Sequence, residues 1–302
     1  MTMTRERLRE LFGMESNALR VRTSDVDVHG NYRVERLSFE SDRGDAVRGF
    51  LTRPAEILHP RPAILYAHAH GARYDIGASE LLKGRPALLN PLGPVLAEAG
   101  YVSLCIDMPT FGDRANISES AASKAAIWYG KSLFGQMLEE QAAALTYLAS
   151  RSDVDARHIG AFGISMGSLL SFWLAAVDTR IAAVAHLCCY ADFATMIETG
   201  AHDGHGVYLL VPGLLSHTSP GRIAGLVAPR PQLICVGTDD ALTPPLAVDR
   251  AWAETLPAYM EAGAPDAVTL TRENDIGHEE TPAMREAMLR FFATHLRVDP
   301  SV

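Results

Sequence analysis

His158-Ile159-Gly160-Ala161-Phe162-Gly163-Ile164-Ser165-Met166-Gly167-Ser168-Leu169-Leu170 decides the fold of this chain. Residues 159–164 are an apolar run that reads as a buried strand, and 166–176 continue as an apolar helix. At the junction stands Gly163-x-Ser165-x-Gly167. A strand that turns at once into a helix strains its corner residue and lifts that side chain above the sheet. Only glycine two positions to either side lets the chains pack so closely. A serine at such a corner presents its hydroxyl as a nucleophile; the plainer alternative is a glycine-rich turn without chemistry.

Outward from this corner the chain alternates strands with helices. Before it, residues 5–14 place Leu8, Leu11 and Phe12 at helical spacing, and 34–39 with 46–51 predict a hairpin around Asp42-Arg43-Gly44-Asp45. A strand at 63–67, a helix at 86–99, a strand at 101–106 and a helix at 139–149 follow. Beyond the corner come strands at 181–187, 232–236 and 268–271, with helices at 247–261 and 282–295. This alternation predicts right-handed crossovers and an α/β fold: a mostly parallel, twisted sheet of about eight strands with helices on both faces. No linker divides the 302 residues, so a single domain spanning 1–302 is expected, with 1–30 as an N-terminal helical extension.

Composition narrows the partners. A formal net charge of −9 argues against nucleic acid and anionic membrane surfaces, which need clustered cations. No apolar run approaches the ~20 residues of a membrane span, and residues 1–10 are too charged for a signal peptide. Cytoplasmic location and a small-molecule partner are the expectation, and a homodimer is compatible with the sequence. The four cysteines, Cys105, Cys188, Cys189 and Cys235, lie in apolar runs and read as buried, reduced thiols.

In a parallel sheet the reactive groups gather at the carboxyl ends of the strands, so the partners of Ser165 are sought there. A serine hydroxyl needs an imidazole to take its proton and a carboxylate to hold that imidazole in the right tautomer. His278, in Ile276-Gly277-His278-Glu279 after the last strand, is the candidate base. Asp240 is the preferred acid, with Asp239 as fallback, in the loop after 232–236. For the oxyanion, the Met166 amide at the start of the helix is one donor. The Ala72 amide, after His70-Gly71, is the other. His68 and His70 read as scaffold or substrate contacts. Arg73 reads as a partner of a substrate carboxylate or of Asp75.

With Ser165, Asp240 and His278 in this order and an His-Gly oxyanion loop, the chain resembles the α/β-hydrolase superfamily from about Val34 to Leu296. It is most similar to the dienelactone hydrolase and acetyl xylan esterase-like branch. The resemblance rests further on 107–114, 187–190, 208–214 and 228–231. Dienelactone hydrolases proper use a cysteine nucleophile, so Ser165 implies ordinary ester chemistry: hydrolysis of a small carboxylic ester or lactone, with no cofactor and no metal.

Two stretches, 116–136 and 190–221, are too long to be plain connections and are expected to cover the site as a lid or pocket wall. Trp128, Tyr129 and Tyr208 in them, with His70 and Arg73, are the candidate substrate contacts; packing of the aromatics onto the core is the equal alternative. His202 and His205 offer only two metal ligands. An acyltransferase or cyclase, or a small amide or peptide hydrolase, would carry the same triad. A non-catalytic ligand-binding protein on this fold would show a broken one.

Overall fold

In the computed structural model, residues 3–296 are described. They form one nine-stranded sheet: β1 (Leu19–His29), β2 (Tyr32–Ser41), β3 (Ala46–Pro54), β4 (Arg61–Ala67), β5 (Val102–Ile106), β6 (Val154–Ile164), β7 (Ile181–Leu187), β8 (Gln232–Gly237) and β9 (Val268–Glu273), in the order β1-β2-β3-β5-β4-β6-β7-β8-β9. The pairs β1/β2, β2/β3 and β3/β5 are antiparallel, and every later pair is parallel.

The sheet has nine strands where about eight were expected, and the extra one corrects the reading of 1–30 as helical. Only α1 (Arg5–Phe12) is a helix there, capped by the Thr4 side chain and closed by Gly13 at φ 67°. Residues 1 and 2 lie outside the described residues. β1 escapes notice because it is a sheet edge with Leu19 as its one buried residue. Its apolar positions also change phase, from Leu19 and Val21 to Val26 and Val28, across a register shift between Val21 and Thr23.

The helices are α2 (Glu80–Lys83), α3 (Leu92–Glu98), α4 (Glu119–Trp128), α5 (Leu133–Ala149), α6 (Met166–Val177), α7 (Phe193–Thr199), α8 (Leu214–His217), α9 (Pro220–Gly225), α10 (Pro245–Glu261) and α11 (Pro282–His295). The helix expected over 86–99 begins only at Leu92. Pro91 is the N-cap, itself extended at φ −55° and ψ 131°, and its ring disfavours a helical residue before it, so the turn does not propagate backwards. On one face of the sheet α1, α5 and α6 pack around Phe12, Phe134 and Trp173; on the other, α3 and α11 pack around Leu96, Met288 and Phe292. Among the described residues no helix is long and apolar enough to cross a membrane.

Parallel pairing in register brings the strand ends together. Ala67 of β4 stands beside Gly163 of β6, Ile164 beside Leu187 of β7, and Leu187 beside Cys235 of β8. The loops leaving β4, β6, β7, β8 and β9 therefore open on one edge of the sheet.

Candidate active site

Ser165 lies between β6 and α6 with φ 60° and ψ −121°, a backbone that a side-chain-bearing residue adopts only under constraint. Its amide donates to the Leu187 carbonyl at 3.0 Å, which fixes the corner to β7. The flanking glycines are required by space. A methyl group on Gly167 would overlap the Ala67 carbonyl oxygen, and one on Gly163 would overlap Gly167. Gly167→Ala is expected to cost about 1–3 kcal/mol or more, since backbone must move to admit it. Urea unfolding of the variant measures this.

Asp240 and His278 come together from the loops after β8 and β9. His278 Nδ1 donates to Asp240 Oδ2 at 2.7 Å, and Asp240 Oδ1 accepts the Leu242 amide at 2.9 Å. Burial alone would raise the Asp240 carboxyl. The hydrogen bond and charge of His278, with help from Thr243 and the Leu242 amide, carry it below its ordinary value. It stands as an ionised acceptor that fixes the imidazole tautomer. Asp239 is exposed and turns away, its amide donating to the Ile276 carbonyl at 2.9 Å. His278 Nε2 is buried without a hydrogen-bond partner among the described residues, and Ser165 Oγ donates to none of them. Nucleophile–base contacts of this kind tighten in the substrate complex.

The loop after β4 is organised by histidines. His68 is fully buried, accepts the Met108 amide at Nε2 (3.1 Å), and is pushed down to about 3 by desolvation. It is scaffold, as is His186, also held neutral by burial between Ser168 and Gln232. His70 lies at the rim. Its Nε2 meets Glu119 Oε2 at 2.5 Å, and its Nδ1 accepts the Ala72 amide at 3.0 Å. The amide expected to serve the oxyanion is thus turned onto a ring nitrogen in this structure, by a tight turn with Gly71 at φ 50° and Ala72 at φ 53°.

The other expected contacts scatter. Arg73 pairs with Asp75 at 2.9 Å on the surface. Trp128 and Tyr129, at the outer end of α4, are 88% and 83% exposed and touch no part of the site, because the helix carries them away from the sheet edge. Leu133 and Phe134 of the same stretch pack into the core. Tyr208 is buried, with its ring stacked on His70 at 5.0 Å, so it supports that histidine.

Three neighbours were not singled out as site residues. Glu119 reads in sequence only as one acid of the 116–136 stretch, and Tyr74 as an aromatic of the loop after 63–67; both bond around His70. His205 bonds the Leu242 carbonyl through Nε2 at 2.9 Å, beside the Asp240 loop. His202 turns instead to the Met196 carbonyl at 3.4 Å. Among the described residues one group of side chains has metal-ligand spacing, Cys188, Asp240 and His278, with ligand atoms within 4.8 Å. Burial pushes the Cys188 thiol well up, and Asp240 and His278 already satisfy each other, so this donor set does not fit a resident ion.

Comparison with known proteins follows the same lines. Residues 90–196, from the start of α3 through the Ser165 corner to α7, match the model of the dienelactone hydrolase family. YtaP of Bacillus subtilis (strain 168), which bears a hydrolase name, is 36% identical over 295 residues, 96% of this chain and 98% of that one. An acetyl xylan esterase from Paenibacillus sp. R4 superposes with a TM-score of 0.69 at 19% identity, covering 97% of this chain and 93% of the other. A glucuronoyl esterase from Solibacter usitatus gives 0.71 at 16% identity, covering 97% and 92%. The strand order, the strained serine between its glycines and a relative matched over nearly its whole length agree: the chain belongs to the dienelactone hydrolase family of α/β-hydrolases.

Proposed function

We propose that this enzyme is a serine hydrolase of the cytoplasm that cleaves small carboxylic esters or lactones through an acyl-enzyme. One observation carries the reading: Ser165, held at φ 60° above the end of β6, shares the sheet edge with an Asp240–His278 pair whose second ring nitrogen is buried and unpartnered. Four buried free thiols suit a reducing compartment.

Ser165 Oγ attacks the acyl carbon while its proton passes to His278 Nε2. Asp240, ionised, keeps the other proton on Nδ1 and stabilises the imidazolium. The carbon–oxygen bond to the leaving alkoxide breaks as His278 returns the proton to it. Water then attacks the acyl-enzyme with the same base, releasing the carboxylic acid and Ser165. The Met166 amide, at the positive end of α6, meets the oxyanion. The Ala72 amide joins it when its hydrogen turns from His70 Nδ1.

The substrate's apolar part has a place to go. We assign it to a half-open cleft of about 480 Å³ on the 190–221 stretch, lined by Phe193, Met196, Leu210, Val211 and Leu214, because His205 on its wall bonds the Leu242 carbonyl beside Asp240. Such a lining favours an alkyl or aryl group, and its size lies in the usual range for a small ligand. In a p-nitrophenyl ester series the wild type should prefer medium over acetyl chains. Leu210→Trp should lower octanoyl turnover by about tenfold while sparing acetyl turnover, since a filled subsite withdraws only the binding of the longer chain. Equal loss on both esters would remove the cavity from the reading. No turnover of any ester, with no covalent labelling of Ser165 by a fluorophosphonate, would defeat it.

A further inference from the structure

A second carboxylate–imidazole pair, which the hydrolytic steps do not use, joins the loop after β4 to the 116–136 stretch. Glu119 is 5% exposed and comes from the 116–136 stretch. Its Oε2 receives His70 Nε2 at 2.5 Å and the Tyr74 hydroxyl at 3.0 Å, and its Oε1 receives the Tyr208 amide at 3.0 Å. Three donors and no acceptor select an ionised carboxylate. Burial alone would raise this group, but donation and charge from His70, then the Tyr208 amide and the Tyr74 hydroxyl, bring it below its ordinary value. Burying a charge is expensive, and a pair kept only for stability could be replaced by apolar packing at little loss.

The carboxylate has a directional effect. Since Nε2 of His70 must donate to Glu119, Nδ1 must be the accepting nitrogen, and it holds the Ala72 amide. The ring cannot turn to escape this. Tyr208 stacks on it at 5.0 Å, while Tyr74 and Phe111 meet it edge-on, both at 5.3 Å. Gly206 closes the remaining side, for a methyl group there would come within 2.6 Å of Glu119 Oε1 and 2.9 Å of His70 Nε2. The segment so held contains two consecutive left-handed residues, one of them an alanine, a conformation that persists only where the surroundings impose it.

We propose that Glu119 and His70 are a positioning pair that anchors the Gly71–Ala72 turn, the His70 tautomer fixed by Glu119 holding the Ala72 amide on Nδ1 until the oxyanion forms and takes up that hydrogen. The inference rests on the hydrolase reading. Interactions made only with the oxyanion act on kcat more than on KM. The pair is therefore expected to show itself in turnover and in the affinity of a transition-state analogue, and to leave binding of the carboxylate product unchanged.

The test compares wild type, Glu119→Gln, Glu119→Ala, His70→Ala, Tyr74→Phe and the His70→Ala/Glu119→Ala double variant. The readouts are p-nitrophenyl acetate hydrolysis, inhibition by an alkylboronic acid, and thermal melting to count folded protein. Glu119→Ala should lower kcat by about 10- to 100-fold with KM nearly unchanged, and weaken the boronic acid in parallel. Glu119→Gln, which keeps an acceptor for only one side of the cluster, should fall between. Tyr74→Phe, which removes one of the three donors to Glu119 but leaves the His70 contact intact, should lower kcat less than Glu119→Ala does, and the double variant should fall no further than the worse single one. If Glu119→Ala fails to fold, Glu119→Gln carries the test alone. The proposal is overturned if the folded variants keep wild-type kcat, or if KM and product binding change as much as kcat does. A wild type that hydrolyses no ester and takes no fluorophosphonate defeats the hydrolase reading itself, a result distinct from an active wild type with indifferent variants.

Discussion

Ser165→Ala is expected to lower ester turnover by about 10⁴- to 10⁶-fold while leaving the thermal midpoint close to that of the wild type. The size follows from what is removed. The Cys188 thiol, whose sulfur lies within 4.8 Å of the Asp240 and His278 ligand atoms, is pushed well up by burial and is a poor substitute for the hydroxyl, so the residual rate would be that of water attacking a bound ester beside the oxyanion donors. Stability should survive because the corner's constraints are backbone ones: the Ser165 amide to Leu187, and the close approach of Gly163, Gly167 and Ala67. Alanine must still adopt φ 60°, as serine does. Progress curves on a p-nitrophenyl ester, with calorimetry on the same samples, measure both halves. Appreciable activity remaining would mean that another group does the chemistry.

Asp240→Asn is expected to be nearly as damaging, with kcat down by about 10⁴, and Asp239→Asn close to neutral. The two aspartates are adjacent in sequence and differ in everything else. Asp240 is buried against His278, its carboxylate accepting the Nδ1 proton at 2.7 Å. An asparagine can turn its amide nitrogen towards the ring, which reverses the tautomer and places the remaining proton on Nε2. A base already protonated at the working nitrogen cannot accept the serine proton. Asp239 is exposed, and its carboxylate accepts only the Thr238 hydroxyl, at 3.4 Å, among the described residues. Comparable losses at both positions would point to a loop effect rather than to tautomer control.

Much of this architecture was legible in residue patterns because burial imposes them. β6 and α6 are apolar on every side that matters, and glycine was the sole residue able to stand two places from Ser165. His278 and Asp240 could be sought by position alone, since parallel strands deliver their loops to one edge. What chose between Asp239 and Asp240 was burial, which a two-residue loop motif does not encode. Trp128 and Tyr129 misled because an aromatic pair in a long insertion looks like a pocket wall, whereas the direction in which α4 leaves the sheet decides what it touches. Glu119 was invisible for the opposite reason. An acid in a helix's first turn is ordinary, and its three donors come from segments up to 89 residues away.

The edge strand β1 bears on how the protein behaves among copies of itself. An outermost strand carries a free row of amides and carbonyls, and a flat apolar one invites another chain to extend the sheet. Here the outer strand is studded with charge. Arg20 meets Asp42 and Arg22 meets Glu40, both at 2.5 Å, and Asp27 meets Arg36. Any chain adding itself to this border would have to strip water from those ions, and the bulge near Val21 bends the line it would need to follow. The strand thus acts as a selvedge: it finishes the sheet and shields the more apolar β2 behind it, with Val34, Leu37 and Phe39, from intermolecular association.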